Sequence, residues 1–225
     1  MNRFARNKAL ISDDGQLRLT NSNVLIVGVG GVGGYVAEML ARCGVGNLTV
    51  VDPDRVDITN INRQIIAMDS TVGRAKVEVI ARRMRDINPD ISIDALAIKF
   101  CEETSTKIFA SKKFDYCIDA IDSVKDKVNL ILECKKRNID CISALGAGNR
   151  LEADFKVVDI FSTSGDGLAK AVRSALRKAG IEKHLTVCAS DSATVNSVPP
   201  SSISYVPAMM GCVLAREVVK CLLRR

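Results

Sequence analysis

The sequence predicts an α/β fold built on a mostly parallel sheet with helices on both faces. Three observations predict it. Short apolar runs of strand type alternate with segments whose apolar residues recur every three to four positions. A glycine-rich turn, Gly28-Val-Gly30-Gly31-Val-Gly33-Gly34, joins the first such strand to the first such helix. An acid, Asp52, closes the second strand about 20 residues further on.

The elements follow in order. Residues 1–22 read as an N-terminal arm. Asn23 to Val27 is an apolar first strand. From Val32, apolar positions recur at Val36, Met39, Leu40 and Cys43, and Gly44 and Gly46 stop that helix. Leu48 to Asp52 is the second strand. Ile58 to Ser70 is polar, rich in Asn and irregular. Val77, Ile80, Met84 and Ile87 mark a second helix, closed by Asn88-Pro89. Ile91, Ile93, Ala95 and Ala97 alternate as a strand. A short helix over residues 102–110 leads to a strand over residues 116–120. Val124, Val128, Ile131 and Leu132 make another helix, and Asp140 to Ala144 another strand. Beyond Gly148 the rhythm changes. Residues 155–160 read as strand, Leu168 to Ala179 as an amphipathic helix, and Leu185 to Ala189 as strand. Ser190 to Ser204, with Pro199-Pro200, reads as loop or crossover, and Val206 to Leu223 as a last helix. Repeated β-α units of this length give a Rossmann-like sheet.

A chain of 225 residues fits one domain, residues 1–225. Within it, residues 23–145 carry the glycine turn and the repeated β-α units, and 146–225 form a modified C-terminal half. No apolar run approaches a membrane span, and the first residues lack the apolar core of a signal peptide, so a cytoplasmic protein is expected. Net charge is +6, compatible with a nucleic-acid partner and equally with solvated surface cations. Lys220, Arg224 and Arg225 also suit the end of a helix. The eight cysteines contain no C-x-x-C pair, which argues against a zinc site of the usual spacing. Most lie in apolar runs and read as small buried hydrophobes. Cys188, in Thr186-Val-Cys188-Ala, reads as buried strand. The single histidine, His184, is expected at the surface.

The glycine turn brings backbone close to a phosphate, and the amides of the following helix point at an anion. Asp52 can accept from ribose hydroxyls. Up to this point a nicotinamide enzyme fits as well as an ATP enzyme. The next segment separates them. Asp52-Pro-Asp54 leads to Asn60-Ile-Asn62-Arg63-Gln64 and Gly73-Arg-Ala-Lys76. Cations so placed suit a triphosphate, because they stabilise charge that builds up during nucleotidyl transfer. Asp119-Ala-Ile-Asp122 follows at a strand end, where carboxylates can bind Mg²⁺ beside phosphates. Either both acids face the cleft, or Asp119 orients the loop and only Asp122 does.

These ordered motifs resemble the ubiquitin-activating-enzyme-like (ThiF/MoeB/HesA) adenylating superfamily. The resemblance implies ATP bound with Mg²⁺ and an acyl-adenylate made on a carboxylate. Carried over by position, it implies that Gly28, Gly30, Gly31 and Gly33 form the phosphate loop, with Gly31 nearest the phosphates. Asp52 takes the ribose, with Asp54 beside it. Asn60, Arg63, Gln64 and Lys76 belong to the nucleotide site, with Asn60, Arg63 and Lys76 on phosphates. Asp122 holds Mg²⁺. Arg63, Lys76 and Asp122 are the residues implied for catalysis. Arg3-Phe-Ala-Arg6 is similar to an N-terminal Arg-Tyr-x-Arg of the family, which implies a homodimer in which Arg6 reaches the ATP of the neighbouring subunit.

The C-terminal half resembles the tRNA threonylcarbamoyladenosine dehydratase branch. The matching residues are Gly146-Ala-Gly148-Asn149-Arg150, Asp159-Ile160, Thr163-Ser-Gly-Asp166-Gly-Leu168-Ala-Lys170-x-x-Arg173, and Pro200-Ser-Ser-Ile-Ser204-Tyr-Val-Pro207. Like that branch, the chain lacks the zinc cysteines of the ThiF and MoeB enzymes. It departs from the branch at Gly167, where proline is usual, and at Glu152-Ala153, where Asp-Pro is usual. The branch implies a tRNA carrying threonylcarbamoyladenosine as partner, with Arg150, Lys170, Arg173, Arg177 and Lys178 as candidate phosphate contacts. A sulfur-relay protein is a further possible partner. Two other readings stay open: an activator of a ubiquitin-like sulfur-carrier protein ending in Gly-Gly, and a non-catalytic nucleotide sensor.

Overall fold

The computed structural model describes residues 2–190, 193–195, 197–198 and 200–224. Its strands are β1 (Asn23–Val27), β2 (Asn47–Val51), β3 (Ser92–Leu96), β4 (Tyr116–Asp119), β5 (Asp140–Ala144), β6 (Phe155–Asp159) and β7 (Leu185–Ala189). Its helices are α1 (Ala5–Asn21), α2 (Gly33–Cys43), α3 (Lys76–Ile87), α4 (Glu102–Ser111), α5 (Val124–Lys136), α6 (Gly167–Lys178) and α7 (Tyr205–Arg224). The strands form one seven-stranded sheet in the order β3-β2-β1-β4-β5-β7-β6. All pairings are parallel except β6 with β7, so the change of rhythm beyond Gly148 corresponds to an antiparallel edge.

Alternation along β1 shows how the layers form. Val24 and Ile26 enter one core with residues of α2, α3 and α7, while Leu25 and Val27 enter another with residues of α4 and α5. A strand covered on both faces needs a continuous apolar run, and Val24 to Val27 are at most 2% exposed. Burying each such side chain contributes roughly 1.5–3 kcal/mol. A third core joins α5 and α6 through Ile131, Val172 and Leu176.

The N-terminal arm is helical. Helix α1 bends at Ser12, whose φ is 67°, and buries only Gly15, Gln16 and Leu19. So narrow a buried face leaves little apolar periodicity in the sequence. The helix is held by tertiary contacts, among them a hydrogen bond from Arg18 Nη1 to the Leu223 carbonyl at 2.8 Å.

In the 190–204 crossover, Asp191, Ser192, Asn196 and Pro199 lie outside the described residues, as do Met1 and Arg225. No helix among the described residues is long and apolar enough to cross a membrane.

Candidate active site

The sheet order reverses at β1, which has β2 on one side and β4 on the other. Connections leave a crevice at the carboxyl ends of strands at such a point. A cavity of about 720 Å³ lies there, and it is lined by Gly28, Gly30, Gly31, Asp52, Asp54, Asn60, Arg63, Gln64, Lys76 and Asp122. Segments 94 residues apart in the chain thus meet around one space.

The glycines divide into two roles. Gly28 has φ +90°, and a Cβ there would stand 2.6 Å from the Ala120 carbonyl oxygen. Only glycine lets the β1 turn pass so close to the β4 turn. A Cβ on Gly33 would stand 1.8 Å from the Gly28 carbonyl oxygen. Gly33 therefore sets the approach of α2 to the turn, and it is not among the residues lining the cavity. Gly30 and Gly31 do line it.

Asp52 is 6% exposed and is oriented by two backbone amides. Its Oδ2 accepts from Val29 N at 2.8 Å and its Oδ1 from Asp54 N at 2.9 Å. Lys76, at the first position of α3, places Nζ 2.8 Å from Asp54 Oδ2. Asn60 sits at the end of a short 3₁₀ turn capped by Asp57. Its Oδ1 accepts from Asp57 N at 3.1 Å, which leaves the amide NH₂ for the cleft. The Thr59 hydroxyl and N–H hold the Asp57 carboxyl below its ordinary pKa. Arg63 is braced by the Thr59 carbonyl at 2.9 Å and Asn62 Oδ1 at 2.8 Å. Gln64 is buried, and its Oε1 has no protein partner among the described residues.

The two acids that end the β4 segment differ completely. Asp119 is fully buried, where Lys127 Nζ donates to its Oδ2 at 2.7 Å and Ser143 Oγ donates to it at 2.6 Å. Its Oδ1 accepts from Ile121 N at 3.0 Å, so it orients the loop that carries Asp122. Asp122 is exposed in the cleft. Of the four acids lining the cavity, it is the one without a hydrogen bond or ion pair among the described residues.

Several residues outside the predicted site set shape the cleft. Asp126 is buried and pairs with Lys99 at 3.2 Å, and both line the cavity. Ser123 caps α5, its Oγ accepting from Asp126 N. A Ser directly after Asp122 is a helix-start signal that points to this turn. Ser201 and Ser202 form the opposite wall. Asn149 holds that wall, its Oδ1 accepting from Ser201 N at 2.7 Å and its N–H donating to the Ser201 carbonyl at 2.8 Å. Asn62 Nδ2 donates to the Ser202 carbonyl at 3.0 Å from the other side.

His184 is not at the surface. It is 3% exposed, with Nε2 2.7 Å from Ser143 Oγ. It immediately precedes β7, an inner strand between β5 and β6, and its ring finds a hydrogen-bond partner inside. Ser143 spends its one hydroxyl proton on Asp119, so the His184 proton sits on Nε2 and donates to Ser143. Burial pushes the His184 pKa down. Cys188 is buried as expected, and burial pushes its thiol pKa up. Arg6 is exposed on α1 and does not line the cleft of its own chain. Among the candidate tRNA contacts, Arg150 is buried, Arg173 donates to the Thr163 carbonyl, and Arg177 lies 5.3 Å over the Phe161 ring. Lys170 and Lys178 are exposed.

The chain is 41% identical, over its whole length and 96% of the relative, to tRNA threonylcarbamoyladenosine dehydratase of Bacillus subtilis. It is 37% identical to the molybdopterin-synthase adenylyltransferase of Haemophilus influenzae, over 64% of this chain and 58% of that one. The crystal structure of Escherichia coli tRNA N6-threonylcarbamoyladenosine dehydratase in complex with ATP superposes with a TM-score of 0.93 at 31% identity, covering 99% of this chain and 94% of that one. The same enzyme in complex with AMP gives the same values. A sequence profile of the ThiF family matches residues 4–225, and with the shared sheet and the glycine turn in place, the chain belongs to that family.

Proposed function

We propose that the cleft binds ATP and adenylates the threonyl carboxylate of threonylcarbamoyladenosine in tRNA, with cyclisation as the second step. One observation carries the reading. Gly28, Gly30, Gly31, Asp52, Asn60, Arg63, Lys76 and Asp122 share one cavity, in a chain similar end to end to tRNA threonylcarbamoyladenosine dehydratases.

The first step needs no general base, because a carboxylate is already the nucleophile. It attacks the α-phosphorus, and pyrophosphate leaves. Arg63 and Lys76 stabilise the charge that gathers on the phosphate oxygens. Asn60 donates from its amide to the same group. Asp52 accepts from the ribose, held in place by Val29 N and Asp54 N. A group within the same modification then attacks the activated carbonyl, closes a ring and releases AMP. The net change is loss of water.

Mg²⁺ fits the residues present. Asp122 is a hard oxygen donor in the cleft, and its carboxylate is not already committed. It would hold the ion, which supplies charge neutralisation beside the phosphates.

The two halves divide the work, with residues 23–145 on the nucleotide and 146–225 on the tRNA and the second subunit. Lys170, Arg177 and Lys178 are the exposed cations of the named set, and they meet tRNA phosphates. A homodimer supplies Arg6 to the neighbouring cleft. Support comes from α1, which presents Leu10 at 86% and Leu17 at 58% exposure on the helix that carries Arg6. A sulfur-relay partner and a cytoplasmic location belong to the same reading.

The test is AMP release with the full chain, ATP and Mg²⁺. Release that requires tRNA bearing threonylcarbamoyladenosine supports the proposal. Release that requires a carrier protein ending in Gly-Gly, with none on tRNA, replaces the substrate assignment.

A further inference from the structure

Three of the eight cysteines converge. The sulfur atoms of Cys117, Cys134 and Cys141 all lie within 4.8 Å of one another, although the residues come from β4, α5 and β5. Cys117 and Cys141 are register partners on adjacent parallel strands, and Asp119 and Ser143 are the next pair on the same face. Helix α5 covers both pairs, with Lys127 over Asp119 and Cys134 two turns further along over the thiols. The trio is therefore held from three sides by regular backbone. We propose that Cys117, Cys134 and Cys141 form a binding site for a soft closed-shell metal ion, Cu(I) or Zn(II).

The chemistry of the donors supports this. Three sulfur ligands without hard oxygen donors suit thiophilic ions. Metal–sulfur bonds of about 2.3 Å put ligating sulfurs roughly 3.8–4.0 Å apart, so the trio closes on an ion with sub-ångström shifts. Each thiol that ligates releases its proton to solvent. An access route exists as well. A second cavity of about 380 Å³, on the side of the sheet end away from the nucleotide cleft, is lined by Cys134, Cys141 and a fourth thiol, Cys221. The Cys221 sulfur lies 3.8 Å from Asp140 Oδ2.

The experiment uses the full chain, reduced and free of oxygen, given Zn²⁺ or Cu⁺ separately and then desalted. One equivalent of at least one ion is expected to remain, with a thiolate-to-metal absorbance band. Cys134→Ser and Cys141→Ala lose both ion and band while circular dichroism is unchanged, and Cys212→Ser, at an exposed thiol, keeps them. Should the cluster variants unfold, thiol alkylation mapped by mass spectrometry on the unmutated chain decides. Metal-dependent protection confined to Cys117, Cys134 and Cys141 supports the site. Retention of neither ion, retention unchanged in both variants, or protection of other cysteines only overturns it.

Discussion

Lys127 Nζ lies 2.7 Å from Asp119 Oδ2 with both side chains wholly out of solvent. This pair explains why Asp119 is structural and Asp122 is free for the cleft. Lys127 also donates to the Ala144 carbonyl at 2.9 Å, which ties α5 to the end of β5. Its removal leaves a buried carboxylate with a lost counter-charge. Lys127→Met is expected to destabilise the fold by about 3–5 kcal/mol. Urea unfolding of the two proteins measures this, and a loss below about 1 kcal/mol would place the pair in a wetter site than described.

Arg63 and Asp122 project into the cleft from partly or fully exposed positions. Arg63→Ala and Asp122→Ala should each lower AMP formation at least about 100-fold, the scale of one lost transition-state donor. Stability should change little, since exposed substitutions fall within about 0.5 kcal/mol. Steady-state AMP release alongside a melting curve separates the two effects.

Arg6 lies outside its own cleft. If it acts across a dimer, Arg6→Ala and Asp122→Ala chains, each inactive alone, should complement one another. Random mixing of a two-fold dimer gives one complete site in half of the dimers, about a quarter of normal activity. Activity that stays at the level of the separate variants removes Arg6 from the neighbouring site.

How far the sequence reached depends on distance along the chain. The strand–turn–helix at Gly28 to Gly34, Asp52, and the Asn60 to Gln64 turn are encoded by local spacing and were legible. Asp119 and Asp122 were legible as a pair, but their division depends on Lys127 and Ser143, which only folding brings near. Asp126 with Lys99, and Asn149 with Ser201, are joined by side chains far apart in sequence, so no spacing announces them. His184 is buried rather than exposed because folding sets it beside Ser143 of β5, a neighbour the local sequence does not announce. The thiol trio was hidden for the same reason.

His184 also sets a pH dependence. Its folded pKa lies below the ordinary 6.5 because burial disfavours the cation. Above 6.5 both states are neutral and its contribution to stability is complete. As pH falls from 6.5 toward the lower folded value, only the unfolded chain takes up the proton, so stability declines. Thermal melts between neutral and mildly acidic pH should show this slope, and His184→Gln should flatten it. An equal slope in the variant would assign the effect to other groups.

The proposed net reaction removes one water from a tRNA nucleoside. The most direct measurement is mass spectrometry of tRNA nucleosides after incubation with the full chain, ATP and Mg²⁺. Threonylcarbamoyladenosine should lose the mass of one water, with one AMP released per event, and Asp122→Ala should leave the nucleoside unchanged. An unaltered nucleoside with the intact chain, under conditions where ATP is consumed, would assign the adenylation to another substrate.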